Sequence, residues 1–407
     1  MRKLEKLKQE ARENGFKPFD NETEKPGLTM LLVGPLPPPY HGVAVMTERL
    51  LEGLKKRNQF KIYHLNTQDP RGVGNMGHLD AWNVYCGTVH VAKFAWLLLK
   101  SGAQLVYLPI SQNFWGYLRD SGFLIISRLF RRNVVVHFHS GTFDTFYQES
   151  CYPMRLFIKK TLANCKAGIV VGYRLKKMLN GILPDEKTFA VYNGIDGKPY
   201  QLAPHIRDSR DRNGHFNVLY VGTLMESKGV MELLETARMV LEITKDVQFT
   251  FAGAWKSPQE KAKAELIIRE NNLSPHVRFL GNVIGEEKVD TFGKADVFTF
   301  PTFYHYESQG LVNLEAMASS LPVISTPRAT IPELVLDGEN GFLIPEHRPD
   351  LVAQKILDLK NSPSLRRRMG NRGRELFEQK FTAENFIEGV EKVLQSLHPQ
   401  EPHKRYS

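Results

Sequence analysis

The chain has 407 residues, 42% hydrophobic and 24% charged, enough for roughly two or three soluble domains with ordinary cores. No apolar run reaches membrane-spanning length, since residues 94–99 are bounded by Lys93 and Lys100, and the start MRKLEKLKQEARENG lacks the apolar core of a secretory signal. Three cysteines, Cys86, Cys151 and Cys165, have no metal-ligand spacing, which argues against a zinc or disulfide scaffold and fits a cytoplasmic protein, at or near the inner face of a membrane. The net charge of +10 lies in the first half: residues 1–200 carry 28 Lys+Arg against 16 Asp+Glu, the remainder 26 against 28. That excess points the first half at an anion, a membrane surface or lipid pyrophosphate ahead of nucleic acid, although a merely solubilising surface has the same composition.

Residues 1–26 are a polar, basic extension with a thin helical stripe of Leu4, Leu7 and Ala11. Residues 28–33 (LTMLLV) predict a buried strand, followed by a Pro-rich loop and a helix with Val45, Leu50, Leu51 and Leu54 on its apolar face. Gly42 lies at the loop–helix junction, where backbone amides can approach an anion. A second strand is expected over 61–65. Residues 72–77 match G-x-G-x-x-G literally, but they follow Gln68-Asp69-Pro70-Arg71 rather than a strand, so they are read as a loop near an acceptor and not as a dinucleotide site. Residues 104–108 and 133–138 predict strands, with a helix over 123–130 between them. Alternation puts His137 and His139 on one face, and two histidines without a third ligand do not make a metal site. A basic helix over 154–165, strands over 167–171 and 189–192, and the turn Asn193-Gly194-Ile195-Asp196 complete the first half. Residues 197–216 are polar without periodicity and read as a connection.

The second half restarts with a strand over 217–221, a loop ending Lys228-Gly229, and a helix through Met239. Strands follow over 248–253 and 277–280. Residues 297–301 (VFTFP) form a strand that opens into a polar loop carrying Glu307; Gly310 then starts a helix containing Leu311, Leu314, Glu315 and Ala318, and residues 322–325 make the next strand. The amides of Gly310, Leu311 and Val312 are unpaired donors at a helix N-terminus, which favours a phosphate, and Gly310 has no side chain to hold it away. Glu315 is placed to accept hydroxyl protons from a ribose, and Glu307 faces what lies beyond the phosphates. Phosphate between two hydroxyl-rich rings describes a nucleotide sugar. On spacing alone the two acids also fit an ordinary solvated helix.

The stretch ESQGLVNLEAMASSLPVIST resembles the E-x7-E signature of family-four retaining glycosyltransferases of the GT-B fold, of the type that builds bacterial surface polysaccharides. The resemblance implies an α/β chain of two doubly wound Rossmann-like domains facing a cleft: an acceptor-side domain over 27–196, a linker over 197–216, a donor domain over 217–381, and a terminal helix over 382–398 returning to the first domain. HFHSGTF resembles the family element whose histidine contacts the transferring sugar, which assigns that role to His139. Residues 222–229 resemble the family's Gly-Arg-x-x-x-x-Lys-Gly loop, so Gly222 and Lys228 fall at the donor diphosphate while Thr223 stands where the family has an arginine. Asn282 and Val283 fall in the loop that holds the nucleobase, and Glu307, Ser308, Gly310, Leu311, Val312 and Glu315 at the donor. Gly42 belongs to the loop over the phosphates and acceptor. Residues 328–330 replace a glycine-rich turn. The implied activity is retaining transfer of a hexose-type sugar from a nucleotide-diphosphate sugar to a glycan or lipid-linked acceptor, with His139, Glu307 and Lys228 as the catalytic group, no metal or other cofactor, and no nucleic acid partner. An inactive glycosyltransferase-like binding subunit, or a glycoside hydrolase using Glu307 and Glu315, are the alternatives.

Overall fold

The structure is a computed structural model that describes residues 28–69, 71, 80–209 and 215–397. The basic extension and the glycine-rich stretch 72–77 lie outside the described residues. Two six-stranded parallel sheets form the frame. The first contains β1 (Leu28–Gly34), β2 (Phe60–Asn66), β3 (Leu105–Pro109), β4 (Asn133–Phe138), β5 (Ala167–Val170) and β6 (Thr188–Ala190), in the order β2-β1-β3-β4-β5-β6. The second contains β7 (Phe216–Val221), β8 (Val247–Ala252), β9 (Val277–Gly281), β10 (Val297–Phe300), β11 (Val323–Ser325) and β12 (Gly341–Leu343), in the order β12-β11-β10-β7-β8-β9. Strands such as β5 and β10 are buried at every residue, because helices cover both faces of each sheet. Strand order reverses between β1 and β3 and between β7 and β10; the crevices beyond the carboxyl ends at those points are where open α/β sheets take ligands.

Two crossings join the domains. Residues 197–216, read as an irregular connection, contain a 3-10 turn (Pro199–Leu202) and a helix (Ala203–Ser209). Tyr200 enters the core of the second domain and Ile206 packs on Gly293, so few but well-placed apolar side chains anchor a segment without periodicity. The return crossing runs beside the first: the Ile195 amide donates to the Phe381 carbonyl at 3.1 Å, and the Ala383 amide to the Ile195 carbonyl at 2.8 Å. Thr382 caps the final helix (Ala383–Ser396) through its hydroxyl, 3.2 Å from the Asn385 amide. Phe386, Ile387, Val390 and Leu394 of that helix share a core with Met30, Leu50 and Tyr107, and Arg57 pairs with Glu384 and Glu391. The last helix is therefore built into the first domain.

The first domain also contains a helix that periodicity did not reveal (Ala81–Ser101), and the helix expected over 123–130 begins earlier (Phe114–Leu129). Both carry apolar residues on the inner and outer faces, which hides the polar stripe that marks an ordinary surface helix.

Candidate active site

The crevice between β7 and β10 is built by two loops locked together at a glycine. Gly229 has φ 84°, and a Cβ there would run into the Pro301 carbonyl, so the loop after β7 lies directly on the end of β10. That contact places Lys228 over the Tyr304 and Phe300 rings, 5.3 and 5.8 Å from their centroids, with its Nζ 3.4 Å from Glu307 Oε2. The lysine and acid are thus one half-buried ion pair. Gly222 follows β7 directly, and Thr223 is exposed with its carbonyl held 3.1 Å from the Tyr220 hydroxyl.

Gly310, at φ 64°, caps the helix Leu311–Ala318. A Cβ there would stand 2.7 Å from Asn313 Nδ2, so a side chain at this position is excluded twice, by conformation and by space. The first amides of this helix have no acceptor among the described residues. The same stretch carries buried acceptor atoms without a hydrogen bond among the described residues: Glu315 Oε2, Asn313 Oδ1, and Glu307 Oε2, which has only the 3.4 Å contact with Lys228. Buried polar atoms are normally paired, so a cluster of unpaired ones beside free amides marks a place for a polar ligand. The Ser308 carbonyl is held by the amide and hydroxyl of Thr330, at 2.9 and 2.8 Å.

Glu315, on the same helix, has Lys288 Nζ 2.6 Å from Oε1. Lys288 comes from the helix Gly285–Gly293, just after the loop with Asn282 exposed and Val283 turned into the core. Across the domain boundary, Arg49 donates from Nη1 to the Gly194 carbonyl at 2.5 Å. Burial lowers its guanidinium pKa while Glu315 and Asp196 pull it back up. Burial, with Glu315 close by, raises the Tyr200 phenol. Each acid of the E-x7-E stretch therefore has a lysine of its own.

His139 lies on the opposite wall. Its ring stacks on His137, 4.0 Å between centroids, and neither ring nitrogen has a hydrogen-bond partner among the described residues. His137 is fully buried, with the Tyr107 hydroxyl 2.5 Å from its Nδ1. Burial first, then the nearby His41, push His139 down to about 4, so it is a neutral imidazole at ordinary pH. The next residues meet the loop that carries Glu307: the Ser140 hydroxyl donates to the Tyr306 carbonyl at 3.2 Å, and a Cβ at Gly141 would stand 3.5 Å from the Glu307 carbonyl. His139 and Glu307 thus flank one cleft. Gly42 is exposed in the first helical turn and has open space around it; His41 caps that turn, accepting the Ala44 amide at 3.5 Å.

From this cleft a cavity of about 930 Å³ runs into the first domain, lined by His41, His139 and Tyr306 at one end and by the Ala81–Ser101 and Phe114–Leu129 helices at the other.

Several partners here were not visible in the sequence. Lys288 and Arg49 have no motif around them. Gln309, inside the E-x7-E stretch, is fully buried and clamps the first domain: its Oε1 accepts the Asn193 amide at 2.8 Å and its Nε2 donates to the Asn193 carbonyl at 3.1 Å. Glu333 accepts the amides of Tyr173 and Arg174, at 2.9 and 2.7 Å, and the Tyr192 hydroxyl at 2.6 Å. Among the described residues no three His, Cys, Asp or Glu side chains converge as metal ligands, and no helix is long and apolar enough to cross a membrane.

Residues 204–376 match the family model described as glycosyl transferases group 1. An uncharacterized glycosyltransferase of Methanocaldococcus jannaschii is 31% identical over 244 residues, 60% of this chain and 63% of its own length. The capsular polysaccharide biosynthesis glycosyltransferase CapM of Staphylococcus aureus is 28% identical over 208 residues, 50% of this chain and 53% of its own. The chain thus matches 53–63% of the length of these curated relatives. The crystal structure of Anabaena HepE in complex with UDP superposes with a TM-score of 0.71 over 91% of this chain and 100% of that one, at 17% identity, a likeness of fold. The chain has the GT-B fold, and its residues 204–376 are similar to glycosyl transferases group 1.

Proposed function

We propose that the protein transfers a hexose-type sugar from a nucleotide-diphosphate sugar to a glycan or lipid-linked acceptor, with retention at the anomeric carbon, in the assembly of a surface polysaccharide. The observation that carries this is that Glu307 Oε2 and Glu315 Oε2 are buried without a hydrogen bond among the described residues, in the same stretch as the free amides at Gly310. A diphosphate on those amides sets Glu315 against the ribose and Glu307 against the sugar. Lys288, holding the other Glu315 oxygen, fixes the direction of that carboxylate.

In the transfer, the bond between the anomeric carbon and the phosphate oxygen breaks, and the acceptor oxygen bonds to the same carbon on the same face. The acceptor proton passes to the departing phosphate. Lys228 and the Gly310, Leu311 and Val312 amides stabilise the charge that grows there. Lys228 must turn from Glu307 toward the phosphates, giving up its 3.4 Å contact. Neutral His139 orients the sugar from the opposite wall. All the positive charge in this scheme comes from protein groups, and the exposed Thr223 contributes none.

The test is incubation with uridine, guanosine, adenosine and thymidine diphosphate sugars plus an acceptor extract. Nucleoside diphosphate release and a product whose anomeric coupling matches the donor are expected. An inverted product contradicts retention. Binding of a nucleoside diphosphate without any turnover selects the second reading, a non-catalytic binding subunit, for which Thr223 in place of an arginine is the specific observation. The separate lysine partners of Glu307 and Glu315 lend no support to a hydrolase in which the two acids work as a facing pair.

A further inference from the structure

The outer face of the first domain is apolar where a soluble surface is ordinarily polar. On the Ala81–Ser101 helix, Tyr85, Ala92, Trp96 and Leu99 recur at helical spacing and point outward; Trp96 is 56% and Leu99 60% exposed. On the Phe114–Leu129 helix, Phe114, Leu118, Ile125 and Leu129 do the same, with Leu129 73% exposed. The two helices lie side by side: the Phe94 and Phe123 rings are 5.0 Å apart, and a Cβ at Gly122 would stand 3.1 Å from Val91. The two stripes thus make one patch of the kind that marks an interaction surface.

The charge around the patch is one-sided. Residues 81–143 contain Lys93, Lys100, Arg119, Arg128, Arg131 and Arg132, and a single acid, Asp120. Asp120 is fully buried, paired with Arg119 and bonded to the Ser111 amide at 2.7 Å. Along the two helices the exposed charges are therefore cations, Lys93 and Lys100 on one and Arg128 and Arg131 beside the other, while Asp80, which caps the first helix, is paired with Arg71. Lys100 lies over the Trp96 ring at 4.5 Å, a stem against an apolar body with its charge at the edge. An apolar face with aromatic side chains and a net basic rim fits the boundary of an anionic bilayer.

The cavity described above opens on the same face. Val84, Trp115 and Leu118 are at once exposed on the patch and part of the cavity wall, while the far end reaches His139 and Tyr306 in the cleft. We propose that this helix pair seats on an anionic bilayer as a monotopic docking face, with the cavity mouth turned toward the lipid. An acceptor held in the bilayer by an apolar chain then reaches the cleft with part of that chain inside the cavity. The docking stands by itself; the use of the cavity by an acceptor chain rests on the transfer activity proposed above.

The test is flotation of the whole chain with vesicles of phosphatidylcholine alone or mixed with phosphatidylglycerol, at low and high salt. Wild type binds the mixed vesicles, less at high salt, and the variant W96E/L99E/L129E binds them about tenfold or more weakly. These three positions lie away from the donor crevice, so nucleoside diphosphate binding and thermal stability of the variant remain those of wild type and show that it is folded. The charge variant K93Q/K100Q/R128Q keeps the apolar face and loses the preference for anionic over neutral vesicles. Absence of binding to anionic vesicles at low salt overturns the proposal, as does binding that the triple glutamate variant retains. A lipid-free dimer of wild type that the same variant dissolves also overturns it, by showing that a second copy covers the face. Vesicle binding without any sugar transfer leaves the docking in place and removes the role of the acceptor chain.

Discussion

Within the segment 307–333, two kinds of polar side chain face the domain boundary. Gln309 and Glu333 have their hydrogen-bonding atoms taken up by the backbone and Tyr192 of the first domain. Glu307 and Glu315 each rest on one lysine, and each has a buried Oε2 without a close hydrogen bond among the described residues, the Glu307 atom facing Lys228 and Glu315 lying beside the Tyr200 phenol. The first kind holds the domains together; the second kind is left open toward the cleft. Satisfaction of hydrogen bonds, rather than sequence position, separates the residues that build this crevice from those with atoms to spare for a ligand.

Substitutions on the open side should break chemistry and spare the fold. Lys228→Ala is expected to lower kcat/KM about 100-fold or more, the scale of losing a preorganised charge at a leaving group, with little change in Tm. Steady-state rates beside a melting curve decide it.

Acid should act on the opposite wall. His139, His64 and His90 are each pushed down to about 4, by burial above all. The unfolded chain takes up these protons near 6.5 and the native one near 4. Stability is therefore lost as pH falls between those values, by about 1.4 kcal/mol per pH unit for each such histidine. Denaturant titrations from pH 7 to pH 4 measure the slope, and His139→Asn should remove its own share of it.

On the satisfied side the expected pattern reverses. Gln309→Ala leaves the Asn193 amide and carbonyl buried without partners and should cost about 1–3 kcal/mol of stability. A denaturant midpoint that does not move would show that this clamp is not closed in solution. Lys288→Met sharpens the contrast from the open side: it frees both Glu315 oxygens but loses their orientation, so the donor KM should rise about tenfold while kcat holds. The smallest effect is at residue 329. Ala329 adopts φ 45° where the family resemblance implies glycine, and Ala329→Gly should raise stability by about 1 kcal/mol, read from the same titration.

The elements around the β7–β10 crevice were legible because their signals are local. A buried strand, a polar loop, a glycine and an apolar helix follow one another over 297–325, and the structure returns β10, the Leu311–Ala318 helix and β11 in that order. The pairing of Lys228 with Glu307, and of Lys288 with Glu315, was not legible, because each joins loops that meet only after the sheet has formed. Gln309 was hidden differently: a glutamine in a polar loop gives no sign of being fully buried. The Ala81–Ser101 helix escaped because its outer face is as apolar as its inner one, and the rule that finds helices looks for the difference. The connection over 197–216 misled by composition, since Tyr200 and Ile206 suffice to fasten it.

The most direct test is a crystal structure of the protein with a nucleoside diphosphate. The diphosphate should lie on the amides of Gly310, Leu311 and Val312, with the ribose hydroxyls on Glu315 Oε2 and Lys228 drawn from Glu307 toward the phosphates. A nucleotide bound elsewhere, with those amides facing solvent and the Lys228–Glu307 pair intact, would contradict it.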